Sequence, residues 1–121
     1  MDRLLIKEDW IEAMVVLKLH GLIDSGTSQL LEDKFRELMA ANNTRVVIDL
    51  QEISYISSAG WGIFVGEIKG IRRRNGDIKL AGMTPDVREV FDLLEFNALL
   101  TPYNSKEDAM AAFETQDNEI K

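Results

Sequence analysis

Apolar and polar positions follow two rhythms along this chain. Leu4 to Glu8 and Ala13 to His20 are short β-like runs, and the second carries the dense apolar stretch Met14-Val15-Val16-Leu17-Lys18-Leu19. Glu8-Asp9-Trp10 between them suits a hairpin connection. Gly21-Leu22-Ile23-Asp24-Ser25-Gly26 breaks this pattern, and Asp24 or Ser25 is placed to cap a following helix. The spacing then becomes helical. Leu31, Phe35 and Leu38 recur at i, i+4 and i+7, Leu30 and Met39 widen the stripe, and Glu32, Asp33, Arg36 and Glu37 take the opposite face. This predicts an amphipathic helix to about Ala41, stopped by Asn42-Asn43.

Arg45-Val46-Val47-Ile48-Asp49-Leu50 is a continuous apolar run, as in a central strand covered on both faces. A loop is expected over Ser54–Gly60, with a second helix starting near Ser57-Ser58-Ala59-Gly60. Trp61, Phe64, Val65, Ile68 and Ile71 form its stripe, and Arg72-Arg73-Arg74-Asn75-Gly76 ends it with cations and a glycine. Asp77 to Gly82 reads as a strand. Thr84 caps a third helix with Pro85 at its first position and Val87, Val90, Phe91 and Leu94 as its buried stripe. Leu99 and Leu100 suggest a short last strand. Ser105, with Asp108 three residues on, opens a final helix to Phe113, and the polar tail from Glu114 to Lys121 is expected to fray.

The order β-β-α-β-α-β-α-(β)-α predicts a layered α/β fold. Its sheet should be mixed and largely parallel, four- to five-stranded, with about four helices. Residues 1–121 read as a single domain, with no repeat, linker or low-complexity tract.

Composition narrows the function more than the fold. The chain has 121 residues, 45% of them apolar and 29% charged, which suits a globular domain. Its 14 Lys and Arg against 21 Asp and Glu give a net charge of −7, the wrong sign for a nucleic-acid backbone. Zero Cys excludes disulfides, thiolate metal sites and a Cys nucleophile, and a single His argues against a Ser-His-Asp hydrolase or a multi-His metal centre. No apolar run reaches the about 18 residues a spanning helix needs, and no charged-then-apolar leader opens the chain. A soluble, cytoplasmic, non-enzymatic domain without metal or cofactor is the expectation.

In open α/β sheets the functional crevice lies beyond the carboxyl ends of the strands. The loops Gly21–Gly26, Ser54–Gly60 and Gly82–Pro85 should meet there. A serine at the helix start following a buried strand suits two jobs. It can cap the helix, which is worth about 1 kcal/mol. It can also receive a phosphate, which would meet free N–H donors and the positive end of the helix dipole. Other features have plainer readings. Gly60, Gly62 and Gly66 suit close helix–sheet packing, since no Lys-Ser/Thr pair makes a phosphate loop. Arg72–Arg74 reads as a solvated helix end, His20 as packing or solvation, and Asp49 as a buried hydrogen bond or an exposed strand end. Trp10 and Trp61 read as core or rim residues, Asp24 as a helix cap or a partner contact, and Met83 as an exposed adhesive side chain.

These elements and local motifs resemble the STAS domain, named for sulfate transporters and anti-sigma factor antagonists, and most closely its small stand-alone bacterial antagonists. Gly21-Leu22-Ile23-Asp24, Val46-Val47-Ile48-Asp49-Leu50, Ile53-Ser54-Tyr55-Ile56-Ser57-Ser58-Ala59-Gly60-Trp61-Gly62, and Leu80-Ala81-Gly82 with Pro85 and Val87 carry the likeness, which spans about residues 4 to 113. The usual family motif is Asp-Ser-Ser/Thr-Gly, whose first Ser accepts a phosphate. Its Gly falls on Gly60, which puts the acceptor at Ser58, Ser57 in the Asp position and Ala59 in place of the second Ser or Thr. Ser57 is the alternative acceptor.

The resemblance implies a STAS-like fold and an anti-sigma factor antagonist. Such a protein binds an anti-sigma factor serine kinase of the histidine-kinase-like ATPase fold and releases a sigma factor. Phosphorylation at Ser58 switches it off, and a serine phosphatase resets it. The implied docking surface is Asp24, Ser25, Ser57, Ser58, Ala59, Gly60, Trp61, Met83, Thr84 and Pro85. The alternative within the family is a non-phosphorylated scaffold or a transport-complex subunit.

Overall fold

The structure is a computed structural model that describes residues 3–120, with side chains described up to residue 115. Its elements are β1 (Leu4–Ile11), β2 (Met14–Ile23), α1 (Ser28–Ala40), β3 (Arg45–Ile56), α2 (Ser58–Arg73), β4 (Asp77–Ala81), α3 (Pro85–Leu93), a 3₁₀ turn (Phe96–Ala98), β5 (Thr101–Tyr103) and α4 (Lys106–Ile120). The five strands form one sheet in the order β1-β2-β3-β4-β5. β1 pairs antiparallel with β2, and the other neighbours are parallel. This is the mixed, largely parallel α/β sheet that the pattern predicts.

The helices divide between the sheet faces. Leu31, Phe35 and Leu38 of α1, Trp61, Phe64, Ile68 and Ile71 of α2, and Val87 and Phe91 of α3 join one core with Val15, Leu17, Leu19, Val46, Ile48, Leu50 and Ile53. Ala109 and Phe113 of α4 build a smaller core on the other face with Met14, Val16, Val47 and Ala81. The middle of β3 is therefore covered on both faces, which accounts for the apolar run Val46-Val47-Ile48 and for burial that continues through Asp49 to Leu50.

Several expected boundaries move. The stretch Glu8-Asp9-Trp10 is not a turn but lies within β1, where Trp10 pairs with Val15 and Asp9 with Val16. The connection is Glu12-Ala13, with Glu12 at φ 55. β3 runs to Ile56, so the expected loop Ser54–Gly60 shrinks to Ser57. Register shifts against β2 explain why this half of the strand is hidden in the sequence: Leu50, Ile53 and Ile56 are buried at three-residue steps instead of alternating. The expected strand at Leu99-Leu100 forms one residue later, at Thr101–Tyr103, while Leu100 is buried in the core.

Leu30, Val90 and Leu94, expected in buried stripes, are exposed. α4 passes the expected end at Phe113, with Ser105 as its cap accepting from Asp108 N at 3.1 Å. The fraying expected from Glu114 to Lys121 falls mostly on residues whose side chains lie outside those described.

Candidate functional site

Ser57 is the single residue between β3 and α2, and the whole site is built around it. Its backbone is extended (φ −78, ψ 172), and its side chain accepts from Gly60 N at 3.3 Å. Ser57 is thus the N-cap of α2 and is half-buried. Ser58 is the first helical residue, is exposed, and is not used as the cap. The cap is therefore Ser57 alone, and the Ser58 hydroxyl is left at the surface. No carboxylate occupies the first turn of α2, so no side chain of that turn offsets the positive end of its dipole.

The junction is pinned to β2. Ser57 N donates to Ile23 O at 2.8 Å. A Cβ on Gly60 would come within 2.7 Å of Ile23 Cγ2 and 2.9 Å of Ile56 Cγ2, so only glycine lets the first turn of α2 seat on the strand ends. The neighbouring glycines differ. A Cβ on Gly62 or Gly66 would meet nothing within 4 Å, so the close packing expected of all three holds at Gly60 alone.

Asp24 follows Ile23 and organises its own loop. Its Oδ1 accepts from Gly26 N at 2.8 Å and Thr27 N at 3.0 Å. Arg3 Nη1 and Nη2 lie 3.0 and 3.2 Å from the two carboxylate oxygens. Partial burial pushes this carboxyl up, but the Gly26 and Thr27 N–H groups, Arg3 and the Thr27 hydroxyl together hold it below its ordinary value. Asp24 is not the cap of α1, and neither is Ser25. Thr27 holds the N-cap position, with its hydroxyl turned to Leu22 O at 3.0 Å. Gly21 (φ 116), at a register shift within β2, belongs to the same arrangement, because Arg3 O would lie 2.0 Å from a Cβ there.

The third loop is set back. β4 ends at Ala81, opposite Asp49, while β3 continues to Ile56. Thr84 Oγ1 lies 3.5 Å from Ile53 O, and Ser57 is about 13 Å further along the strand direction. Thr84 also caps α3 by accepting from Val87 N at 3.4 Å. Met83 is half-buried against the main core and is not the exposed side chain expected, whereas Pro85 is exposed. Asp24, Ser25, Ser57, Ser58 and Ala59 therefore cluster, with Met83–Pro85 on a neighbouring shelf.

Two expected surface residues lie inside. Trp61 is 2% exposed and packs against Phe64, Phe91 and Phe96, with ring centroids at 6.1, 5.8 and 5.0 Å, and Gly60 is buried beneath Ser57. They support the face from below. Tyr55, outside the expected docking set, is 55% exposed and paired in register with Leu22 beside the junction. A polar-looking stretch hid it. Arg3 was likewise missed, because nothing local ties it to Asp24.

The remaining candidates have structural roles. Asp49 Oδ1 accepts from Gln51 N at 3.1 Å. Arg72 pairs with Asp77 at 3.1 Å, and Arg74 donates to Met39 O at 2.8 Å. Trp10 is 46% exposed on the sheet edge. Among the described residues, no three His, Cys, Asp or Glu gather to hold a metal, and no helix is long and apolar enough to cross a membrane.

A family model described as the STAS domain matches residues 7–109. BtrV of Bordetella bronchiseptica, by name a provisional anti-sigma factor antagonist, is 36% identical over 107 residues, covering 88% of this chain and 92% of that protein. The crystal structure of an anti-sigma factor antagonist from Mycobacterium paratuberculosis superimposes with a TM-score of 0.82 at 21% identity, covering 90% of this chain and 92% of the other. The anti-sigma factor antagonist SpoIIAA in its unphosphorylated form gives 0.78 at 18% identity over 92% of this chain and 97% of SpoIIAA. The Bacillus cell fate determinant SpoIIAA in its phosphorylated form gives 0.70 at 18% identity, over 90% of this chain and 99% of the other. At these identities the structures speak for the fold.

Proposed function

The chain belongs to the STAS domain family, and from that premise we propose that it is a cytoplasmic anti-sigma factor antagonist switched by phosphorylation of Ser58. It is a regulatory binding protein. In its free form it docks on an anti-sigma factor that is also a serine kinase of the histidine-kinase-like ATPase fold, and so releases a sigma factor. The kinase transfers a phosphoryl group from ATP to Ser58 Oγ, the antagonist leaves, and a serine phosphatase restores it.

The exposure of Ser58 at the start of α2, with Ser57 already committed to the cap, carries this reading. Ser and Asp are both strong N-caps, so Ser57 keeps the helix-starting role in the family's Asp position. The acceptor hydroxyl is left for chemistry, which favours Ser58 over Ser57. A dianion there meets the N–H groups and dipole of α2, so the phosphorylated domain stays folded. In a packed interface the same dianion adds desolvation and repulsion, and each ~1.4 kcal/mol of that weakens binding tenfold. No large conformational change is needed. The docking face would comprise Asp24, Ser25, Tyr55, Ser57, Ser58 and Ala59, with Met83, Thr84 and Pro85 beside it.

The test is recovery of the tagged protein from its native extract with and without ATP, followed by mass spectrometry. One added phosphate on Ser58, absent from Ser58→Ala, is expected, as is loss of the kinase from Ser58→Asp. A chain that gains no phosphate, with Ser58→Asp holding the same partners as wild type, would instead point to a non-phosphorylated scaffold or transport subunit.

A further inference from the structure

β1 is an edge strand of eight residues whose one neighbour among the described residues is β2. The orientation of its backbone follows from its contacts. Arg3 O accepts from Leu22 N at 3.0 Å, and Leu4 pairs with Gly21, so the odd-numbered residues exchange hydrogen bonds with β2. Leu4, Ile6, Glu8 and Trp10 therefore turn their N–H and C=O groups outward. These groups form an open ladder of the kind that recruits another strand.

The side chains indicate which strand fits. Leu5 is 43% and Trp10 46% exposed, and both stand on β1. Consider a second β1 laid antiparallel across a two-fold axis normal to the sheet. Residue parity is then preserved across the pair, so only registers centred on a residue are allowed. Centring on Glu8 sets Lys7 opposite Asp9, Ile6 opposite Trp10 and Leu5 opposite Ile11, each pair occurring twice. Centring on Lys7 instead would set Lys7 against itself, Ile6 against Glu8 and Leu5 against Asp9. The first register meets Lys7 with Asp9 and sets Leu5, Ile6, Trp10 and Ile11 against apolar partners, leaving only Leu4 opposite Glu12 beyond the strand end. Its one like-charge pair, Glu8 with Glu8, is neutralised on each side, because each Glu8 is ion-paired with Lys34 of α1 and accepts from Trp10 Nε1 at 3.1 Å.

We propose that β1 is a self-association edge, at which two copies of this chain join antiparallel, centred on Glu8, into one continuous sheet. The Glu12 end of β1 lies away from the Ser57–Ser58 junction, while the Leu4 end adjoins the Asp24 loop through Arg3, so the edge borders the proposed docking face without including Ser58.

The absence of cysteine allows a register-specific test. In this pairing the two Glu8 residues form a hydrogen-bonded pair, with Cα atoms about 5.5 Å apart, within disulfide reach. Mild oxidation of Glu8→Cys should give a covalent dimer, and Lys7→Cys, which faces position 9, should give far less. Sedimentation equilibrium of the unmodified chain should show a concentration-dependent dimer. Asp9→Lys should weaken that dimer about tenfold, through two lost charge pairs and two new repulsions, and Lys7→Asp combined with Asp9→Lys should restore it. Circular dichroism of each variant checks that it is folded. A wild-type chain that stays monomeric at every concentration, equal crosslinking from Lys7→Cys and Glu8→Cys, or a dimer indifferent to folded Asp9→Lys overturns the proposal.

Discussion

Ser57 N donates to Ile23 O at 2.8 Å, and this one bond joins the two loops of the candidate site. It ties the start of α2 to the end of β2. Asp24 comes next after Ile23 and Ser58 next after Ser57, so the bond fixes how the Asp24 loop stands to the proposed acceptor.

The division of labour between the adjacent serines gives a stability contrast. Ser57→Ala removes the cap acceptor for Gly60 N and should cost about 1 kcal/mol. Ser58→Ala touches an exposed side chain that caps nothing and should stay within about 0.5 kcal/mol of wild type. Urea denaturation of both variants checks this. Equal losses would mean that the cap is shared.

The glycines of α2 should respond with opposite signs. Gly60→Ala drives a methyl into Ile23 and Ile56 and should destabilise by about 1–3 kcal/mol. Gly62→Ala adds a methyl in open space within a helix and should stabilise by about 0.5–1 kcal/mol. Thermal melting of the two variants side by side decides the matter, and a stable Gly60→Ala protein would show that the junction is looser than described.

The Asp24 loop should loosen in acid. Its carboxyl is held below the ordinary 3.8, so its contribution to stability is present above that value and is lost as the pH falls through the lower folded value. An NMR titration reading the Gly26 and Thr27 amides should place the midpoint below 3.8. Arg3→Ala should move it upward. A midpoint that is unchanged in Arg3→Ala would mean that the guanidinium does not act on Asp24.

A buried ion pair on the α4 side of the sheet predicts an asymmetry. Lys79 Nζ lies 3.1 Å from Asp77 Oδ2 and 4.6 Å from the Phe113 ring centroid, with Lys79 5% and Asp77 8% exposed. Asp77→Ala strands the ammonium in that apolar setting and should cost about 3–5 kcal/mol. Lys79→Met should cost less, because Asp77 keeps Arg72 at 3.1 Å and its own strand's Ile78 N at 2.9 Å. Chemical denaturation of both variants measures the difference, and equal costs would assign the loss to packing alone.

The legible parts of this protein share a physical cause. Leu31, Phe35 and Leu38 each bury one helix face, and Val46 to Leu50 is covered on both sides, so their patterns reach the sequence undistorted. The caps at Thr84 and Ser105 are contacts within one turn and are equally readable. The second half of β3 was hidden because its irregular register with β2 replaces alternation by the spacing Leu50, Ile53, Ile56. The turn at Glu12-Ala13 was hidden because an edge strand buries little, and so Glu8, Asp9 and Trp10 look like loop residues.

The sequence by itself determined the order of elements, the two-faced central strand and the pair of serines at a helix start, because each depends on neighbours along the chain. Which serine caps and which faces solvent was decided by tertiary structure, as was the burial of Trp61 among Phe64, Phe91 and Phe96. So were the grip of Arg3 on Asp24 and the setback of the Met83–Pro85 shelf. Those outcomes depend on strand register and on contacts between distant segments, and neither has a period that a linear pattern can carry.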